Sequence, residues 1–545
     1  MFKHSSVIIA ILFAFILSTC GEASQGDKRS FSVLAINDVY RIAPMQDGEV
    51  GGFSRLKTIR DEMEKTDKDL LILHGGDFLS PSVLGQRFAG EQIIDIMNQI
   101  NGDASTFDDR FFVVPGNHEF DVSGDVGAKW FRQRVTESNF WWVSSNINWA
   151  DGSHPQIIDG LEQIIKHKII DAGGIKVGIF GLTLNRDATK YAPIDSNYIS
   201  IAKNMSQKLR AEGAEIVIGL THLFLNNDVE ILEVLGADGP DIIFGGHEHE
   251  ALKVEVDGRF VVKADSDLKS ATIAHLSLDD GKLKVSLENK IIDNKIPEDM
   301  VVKAKVDEWL NRYYAEECGA EPGQKCNSTP FGHTNVELIA VEAEIRRFET
   351  NLGNWIADDM LYAFKHTGRA QVALINSGAI RKNENIAAGA VITNQLIKEL
   401  LPYDPVMKLI EITGLELKNI LTHSISNWQG NGYWLQVSGL AFRQNIETET
   451  VEDLMIFENG ELRPVVDDEI IRAVTVNYLL DTNGPQDGYT MLSESNIIKT
   501  PHNGVNLQDF IREMLLETGD KGIAPIVEGR ICNKMRPKPC LLDKE

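Results

Sequence analysis

The residues of the first half that could do chemistry are Asp38, Asp77, Asn117, His118, Asp121, His222, His247 and His249. Taken singly, most have ordinary explanations. Asp38 suits a turn, Asp77 suits a helix cap, and the histidines of His247-Glu248-His249 suit a solvent-facing alternation. The run Gly116-Asn117-His118-Glu119-Phe120-Asp121 is different. Three polar residues follow an apolar strand with a glycine at the bend, and Asp121 stands where it can orient His118. As a set, carboxylates, an amide oxygen and imidazoles suit Mn²⁺, Zn²⁺, Co²⁺ or Fe²⁺. No thiolate takes part, which excludes a structural cysteine-type zinc site. The ligands outnumber the needs of one ion, and one carboxylate can bridge two ions ~3.5–4 Å apart. Such a pair generates hydroxide at neutral pH and clamps the oxygens of an in-line displacement at phosphorus.

For these residues to meet, the elements before them must converge. Short apolar runs at 31–36, 70–73, 111–114, 216–220 and 242–244 each end in Asp, Asn or His beside small or polar residues. Helical patterns such as 91–100 and 199–212 lie between them. Buried strands alternating with helices predict an α/β layered domain, and in such sheets ligands gather beyond the carboxyl ends of the strands. From 251 to 292 the pattern turns hairpin-like at Gly258 and at Asp280-Gly281. This sets a first domain at 30–295. A charged amphipathic helix over 297–317 and a Gly/Pro/Ser/Asn-rich stretch to 332 form a linker, 296–332. A second α/β domain follows at 333–531. In it, Asn376-Ser377-Gly378-Ala379-Ile380-Arg381 places an arginine after a small-residue bend. A guanidinium fork there suits a phosphate, although a surface arginine after a turn would look the same.

The chain has 545 residues, 43% hydrophobic and 25% charged, with a net charge of −26. That composition excludes a disordered chain, and the charge argues against nucleic acid or an anionic membrane surface as partner. Lys3 and His4 followed by an apolar run from Val7 to Leu17 read as an export signal too short to span a bilayer. Leu17-Ser18-Thr19-Cys20 resembles a bacterial lipobox, so residues 1–19 are expected to be removed and Cys20 lipidated. The alternative is cleavage near Ala23 and a secreted protein. Cys318, Cys326, Cys532 and Cys540 remain, an even number suited to an oxidising compartment. They allow three connectivities, of which the local pairs are the simplest.

The motifs Asn37-Asp38, Gly75-Gly76-Asp77, Gly116 to Asp121, Thr221-His222 and Gly246-His247-Glu248-His249 together resemble the calcineurin-like metallophosphoesterases. The chain from about 31 to 530 resembles the 5′-nucleotidase/UDP-sugar hydrolase family. The fold this implies is a four-layer α/β-β/α metallophosphoesterase domain followed by a second α/β nucleotide-binding domain. The resemblance implies one ion held by Asp38, Asp77 and His249, and a second held by Asp77, Asn117, His222 and His247. His118, paired with Asp121, would stabilise the transition state or protonate the leaving oxygen. The family has Asp-x-His where this chain has Asp38-Val39-Tyr40. A phenol titrates near 10, so the expectation is a first site short of one ligand, with a Tyr40 phenolate as the alternative. In the second domain the resemblance runs through Thr350 to Asp358, Asn376 to Arg381, Leu401-Pro402-Tyr403, Leu435 to Gly439 and Asp487-Gly488-Tyr489. It implies that Tyr403 and Tyr489 sandwich a base, and that Asn376, Arg381 and Arg346 bind substrate. The expected activity is removal of phosphate from extracytoplasmic nucleotides, extending to 2′,3′-cyclic nucleotides or UDP-sugars, by a monomer that touches the membrane only through its lipid. Alternatives are hydrolysis of another anionic ester, or a surface protein or adhesin that has lost catalysis.

Overall fold

The computed structural model describes residues 29–151, 160–185, 191–326, 330–365, 369–426, 428, 430–480, 486–498 and 503–543. The expected leader at 1–19 and Cys20 lie outside the described residues. Among the described residues, no helix is long and apolar enough to cross a membrane.

The first domain is built on two sheets. Strands β1 (Arg29–Ile36), β2 (Leu71–His74), β3 (Phe111–Val113), β4 (Trp141–Val143) and β5 (Ile164–Ile165) run parallel to one another. Strands β6 (His167–Ala172), β7 (Ile175–Thr183), β8 (Ile216–His222), β9 (Ile242–Gly245), β10 (Leu252–Val256) and β11 (Arg259–Lys263) form a second sheet. Strands β12 (Ser270–Asp279) and β13 (Lys282–Ile291) form a hairpin that returns to the first sheet. The orders are β13-β12-β1-β2-β3-β4-β5 and β10-β11-β9-β8-β7-β6. Period-2 alternation decides which residue faces which layer. Phe31, Val33 and Ala35 of β1 pack with Val177, Ile218 and Phe244 between the sheets. Leu34 and Ile36 of the same strand face outward, against helices Phe53–Glu64 and Glu91–Gln99. On the far side Val217 and Ile243 pack with helices Tyr198–Ala211 and Leu225–Leu235. The layers are therefore helix, sheet, sheet, helix, as the resemblance implies.

Helix Met300–Cys318 starts at Asp299, whose carboxylate accepts from the amides of Val301 and Val302. Its apolar residues Val302, Val306, Trp309 and Tyr313 join the first domain's core. The expected amphipathic helix is thus docked along its length onto that domain. Disulfides Cys318–Cys326 and Cys532–Cys540 realise the local pairing. The second domain has a four-stranded sheet in the order Met407–Thr413, Ile470–Val476, Val372–Asn376, Leu435–Ser438. Helices Asn351–Lys365 and Gly414–Ile425 share its core, and a second four-stranded sheet ends at Ile531–Asn533.

Candidate active site

The strand ends of the first domain converge as expected. Asp38 follows β1, Asp77 follows β2, Asn117 and His118 follow β3, His222 ends β8, and His247 and His249 follow β9. Four of these residues sit in the left-handed region, with φ of 53° at Asp38, 61° at Asp77, 94° at His247 and 63° at His249. Each such non-glycine conformation costs of order 1–3 kcal/mol and persists where the surroundings over-determine it. Glycines clear the space. A Cβ on Gly116 would lie 2.1 Å from Asp77 Oδ1, and one on Gly246 would lie 2.9 Å from Asp38 Oδ2.

Two donor clusters result, Asp77/His222/His247 and Asp38/Asp77/His249, each with its ligand atoms within 4.8 Å of one another. Asp77 belongs to both. Its Oδ1 accepts the His118 amide at 2.8 Å, leaving Oδ2 3.2 Å from His222 Nε2. Burial alone would raise the Asp77 carboxyl. His222 and His118 outweigh it and hold the group well below the usual carboxylate range. Burial opposes protonation of His222, but Asp77 overcomes that and lifts it to about 9. Its Nδ1 donates to the Gly75 carbonyl at 2.6 Å, which aims Nε2 at the cluster. Asn117 Oδ1 is buried without a hydrogen-bond partner, the state of a ligand atom kept for a cation. The residues present therefore fit a pair of divalent ions, with Asn117 completing the second set.

Tyr40 is buried, and its hydroxyl lies 3.0 Å from His249 Nε2, 3.2 Å from Asp77 Oδ2 and 3.5 Å from Asp38 Oδ1. Burial first, then Asp77, pushes its titration well above the usual phenol value. His118 Nδ1 faces both oxygens of Asp121 at 3.0 Å, and Nε2 points inward, 3.9 Å from Asp77 Oδ2. The Asp121 contact fixes the ring and leaves Nε2 turned toward the donor clusters.

Three supports escape a reading of the sequence. Glu119 accepts the amides of Gly116 at 2.5 Å, Phe78 at 2.8 Å, Asp77 at 2.9 Å and Leu79 at 3.1 Å. It locks the loops after β2 and β3 together, and burial raises its carboxyl to about 7. Glu248, between the two histidines, turns inward to Lys263 at 2.5 Å, while Lys263 also meets Asp228 at 2.9 Å and the Leu223 carbonyl at 2.7 Å. This buried triad joins the loops that carry His222, His247 and His249. Glu342 comes from the second domain and pairs with His249 Nδ1.

A cavity of about 530 Å³ joins this centre to the second domain. The first domain lines it with Asp77, Asn117, His118, Asp121, His247 and His249. The second contributes Arg346, Asn376, Arg381, Tyr403, Tyr478 and Asp487. Arg346 is 5% exposed, and its Nη2 lies 3.2 Å from Glu342 Oε1 but out of line for a hydrogen bond. Arg346 Nε, Arg381 Nη2 and Asn376 Oδ1 are likewise buried without a hydrogen-bond partner. Arg381 stacks over the Tyr40 ring at 4.7 Å. Unspent guanidinium donors beside the donor clusters offer an anion directed N–H groups despite the −26 of the whole chain.

One expected residue is elsewhere. Tyr489 is fully buried, its hydroxyl donates to the Tyr433 carbonyl, and its ring meets His423 edge-on at 4.7 Å. It belongs to the core and does not line the cavity. The preceding Asp487 and Gly488 have φ of 56° and 78°, and this turn sends Tyr489 inward. The second-domain aromatic that lines the cavity together with Tyr403 is Tyr478, 37% exposed, whose hydroxyl donates to Asp487 Oδ1 at 3.0 Å. The sequence carried a signal for it, an aromatic just after an apolar strand end.

Comparison with known proteins accords with this geometry. Residues 31–251 match the calcineurin-like phosphoesterase family and residues 330–494 match the 5′-nucleotidase C-terminal domain. A trifunctional nucleotide phosphoesterase of Bacillus subtilis is 25% identical over 88% of this chain, and the match covers 33% of that longer protein. A snake venom 5′-nucleotidase of Gloydius brevicauda is 28% identical over 88% of this chain and 83% of its own. The crystal structure of a 5′-nucleotidase precursor from Thermus thermophilus shares the fold, with a TM-score of 0.76, 23% identity, and coverage of 92% of this chain and 99% of that one. Two family domains in series, joined at one cavity, place the chain in the 5′-nucleotidase family of calcineurin-like metallophosphoesterases, metal-dependent hydrolases of phosphoric esters.

Proposed function

We propose that the protein removes the phosphate of extracytoplasmic nucleotides, as a 5′-nucleotidase whose site also admits 2′,3′-cyclic nucleotides or the pyrophosphate of UDP-sugars. The observation that carries this reading is the single cavity in which the donor clusters and His118 face Arg346, Asn376, Arg381, Tyr403 and Tyr478. Relatives named as nucleotide phosphoesterase and 5′-nucleotidase support the substrate class.

Asp38, Asp77 and His249 would hold one ion and Asp77, Asn117, His222 and His247 the other. Manganese, zinc or cobalt suits these donors. When bound, the pair supplies an activated water and neutralises charge at phosphorus. Tyr40 stays a phenol that donates its one proton to Asp77 Oδ2, so the first ion is held more loosely than the second. Arg381 and Arg346 turn their free N–H groups to the phosphate oxygens. Tyr403 and Tyr478 stack the base, and Asp487 and Asn376 stand beside the sugar. His118, oriented by Asp121, gives its Nε2 proton to the leaving ester oxygen as the P–O bond breaks. Water supplies the new oxygen on phosphorus, and the products are nucleoside and phosphate. Export through residues 1–19, anchorage through lipidated Cys20 and action as a monomer complete the proposal.

The test is a screen of phosphate release and, by chromatography, of all hydrolysis products, over nucleoside monophosphates, 2′,3′-cyclic nucleotides, UDP-sugars and a small aryl phosphate, each with Mn²⁺, Zn²⁺, Co²⁺ and Mg²⁺. The expected result is release from nucleotides at far higher kcat/KM than from a small aryl phosphate. Equal kcat/KM across all esters would refute the nucleotide assignment.

A further inference from the structure

The two donor clusters are oriented in different ways. His222 is aimed by a backbone carbonyl of its own domain, Gly75. His249 is aimed from across the domain junction. Its Nε2 faces Asp38 Oδ1 at 3.2 Å and Tyr40 Oη at 3.0 Å, while its Nδ1 meets Glu342 Oε2. Glu342 begins the short helix Glu342–Ile345 of the second domain. Its side chain is 4% exposed, so water screens the contact little. The backbone on both sides is tied down. The Glu342 amide donates to Asn383 Oδ1 at 3.2 Å, and Asn383 in turn receives Lys269 Nζ at 2.7 Å and donates to Ser266 Oγ at 3.1 Å, both from the first domain. The other carboxylate oxygen, Oε1, lies 3.2 Å from Arg346 Nη2 and 3.8 Å from Arg381 Nε.

We infer that Glu342 is a positioning residue for the first metal site, a carboxylate of the substrate domain that orients His249 and strengthens it as a ligand. The inference rests on the reading that the Asp38/Asp77/His249 cluster holds an ion. A carboxylate on the far nitrogen of a ligating imidazole fixes the ring, selects the tautomer and raises the basicity of the ligating nitrogen. That help matters most where ligands are fewest, and Tyr40 leaves this cluster with one imidazole where the other has two. The first site is thereby completed across the domain junction, whereas the second is complete within one domain. The same carboxylate touches both arginines of the cavity, so the groups that face the phosphate and the ligand that faces the first ion share one anchor.

The experiment is Mn²⁺ binding to the demetallated full-length protein, by calorimetry for affinity and by equilibrium dialysis for the number of ions. It compares wild type, Glu342→Ala, Glu342→Gln and Arg347→Ala. The last removes another interdomain ion pair, Arg347–Glu250, which does not touch the His249 ring. Glu342→Ala is expected to weaken one of the two ions by ~10–100-fold and leave the other unchanged. Glu342→Gln, whose amide oxygen still accepts from Nδ1 without the charge, should fall between. Arg347→Ala should bind both ions as wild type does, and Co²⁺ absorption should report the changed site only in the Glu342 variants. Wild-type affinity for both ions in the Glu342 variants would overturn the inference. So would an equal loss in Arg347→Ala, which would assign the effect to domain docking. If Glu342→Ala does not fold, Glu342→Gln decides alone by the same criterion. A wild-type protein that binds no Mn²⁺ would refute the metal reading itself, and this inference with it.

Discussion

The half of the cavity lined by the donor clusters and the half lined by the second domain are made by different means. In the first domain every site residue follows a strand whose place is set by ladders on either side: β1 between β12 and β2, β2 between β1 and β3, β8 between β7 and β9. Chain position then dictates spatial position, and short motifs can be read one strand end at a time. In the second domain Asn376 still ends a strand, but the other lining residues sit outside the sheet: Arg346 caps the helix Glu342–Ile345, Arg381 and Tyr403 lie in loops, and Tyr478 and Asp487 lie in the 3₁₀ turns Asn477–Leu480 and Gln486–Gly488. There the local φ of one or two residues decides whether a side chain faces the cavity or the core. Tyr478 and Tyr489 are eleven positions apart in the same stretch, yet one lines the cavity and the other is buried. A site held by a sheet tolerates little and reveals much; a site held by turns does the reverse.

This contrast can be broken from the metal side first. Exhaustive chelation should abolish phosphate release, and Mn²⁺ or Co²⁺ should restore it. Full turnover by protein shown metal-free by elemental analysis would remove the basis for treating the strand ends as the chemical half. Next in size is His118→Ala, expected to cost about 10²-fold or more in kcat with metal content intact. Loss of metal without a kinetic defect on reconstitution would make His118 a ligand.

The second-domain half is sharpened by separating its two tyrosine types. Each lost stack is worth ~1–3 kcal/mol. Tyr403→Ala/Tyr478→Ala should therefore raise KM for nucleotides at least about tenfold, while kcat/KM for a small aryl phosphate hardly moves. Tyr489→Ala should instead lower stability by about 3–5 kcal/mol, as removal of a buried aromatic does, with little change in KM once folded. Parallel losses on both substrates in the cavity pair would mean that those tyrosines are structural too. The smallest effect is expected at Tyr40. Tyr40→His should lower the Mn²⁺ concentration for half-maximal activity several-fold, and Tyr40→Phe should leave it nearly unchanged. A Phe variant that loses metal would show that the phenol oxygen is itself a ligand.

How far the sequence could be read follows the same division. The runs at 31–36, 111–114 and 216–220 lie within or one residue off β1, β3 and β8, because buried strands are made mainly of apolar residues. The hairpin turn at Asp280-Gly281 was legible for the opposite reason, since only such residues fit it. The split into two facing sheets was legible only through the family resemblance, because alternation says which residues share a face and not which strands are neighbours. Glu119, Glu248 and Glu342 stayed hidden as well. A buried carboxylate announces itself only through the donors around it, and those donors are backbone amides, a lysine fifteen residues on, and a histidine in another domain.

Glu119 carries a consequence beyond geometry. One side chain holds four amide protons drawn from two segments about forty residues apart in sequence. None of the four can exchange with solvent deuterium until that carboxylate lets go, and when it does all four are released together. Asp77, Phe78, Leu79 and Gly116 should therefore form one exchange unit, with a common protection factor that collapses in Glu119→Ala. Asp77, shared by both donor clusters, and the stretch that carries His118 would then open and close as a single body, not as two independent loops.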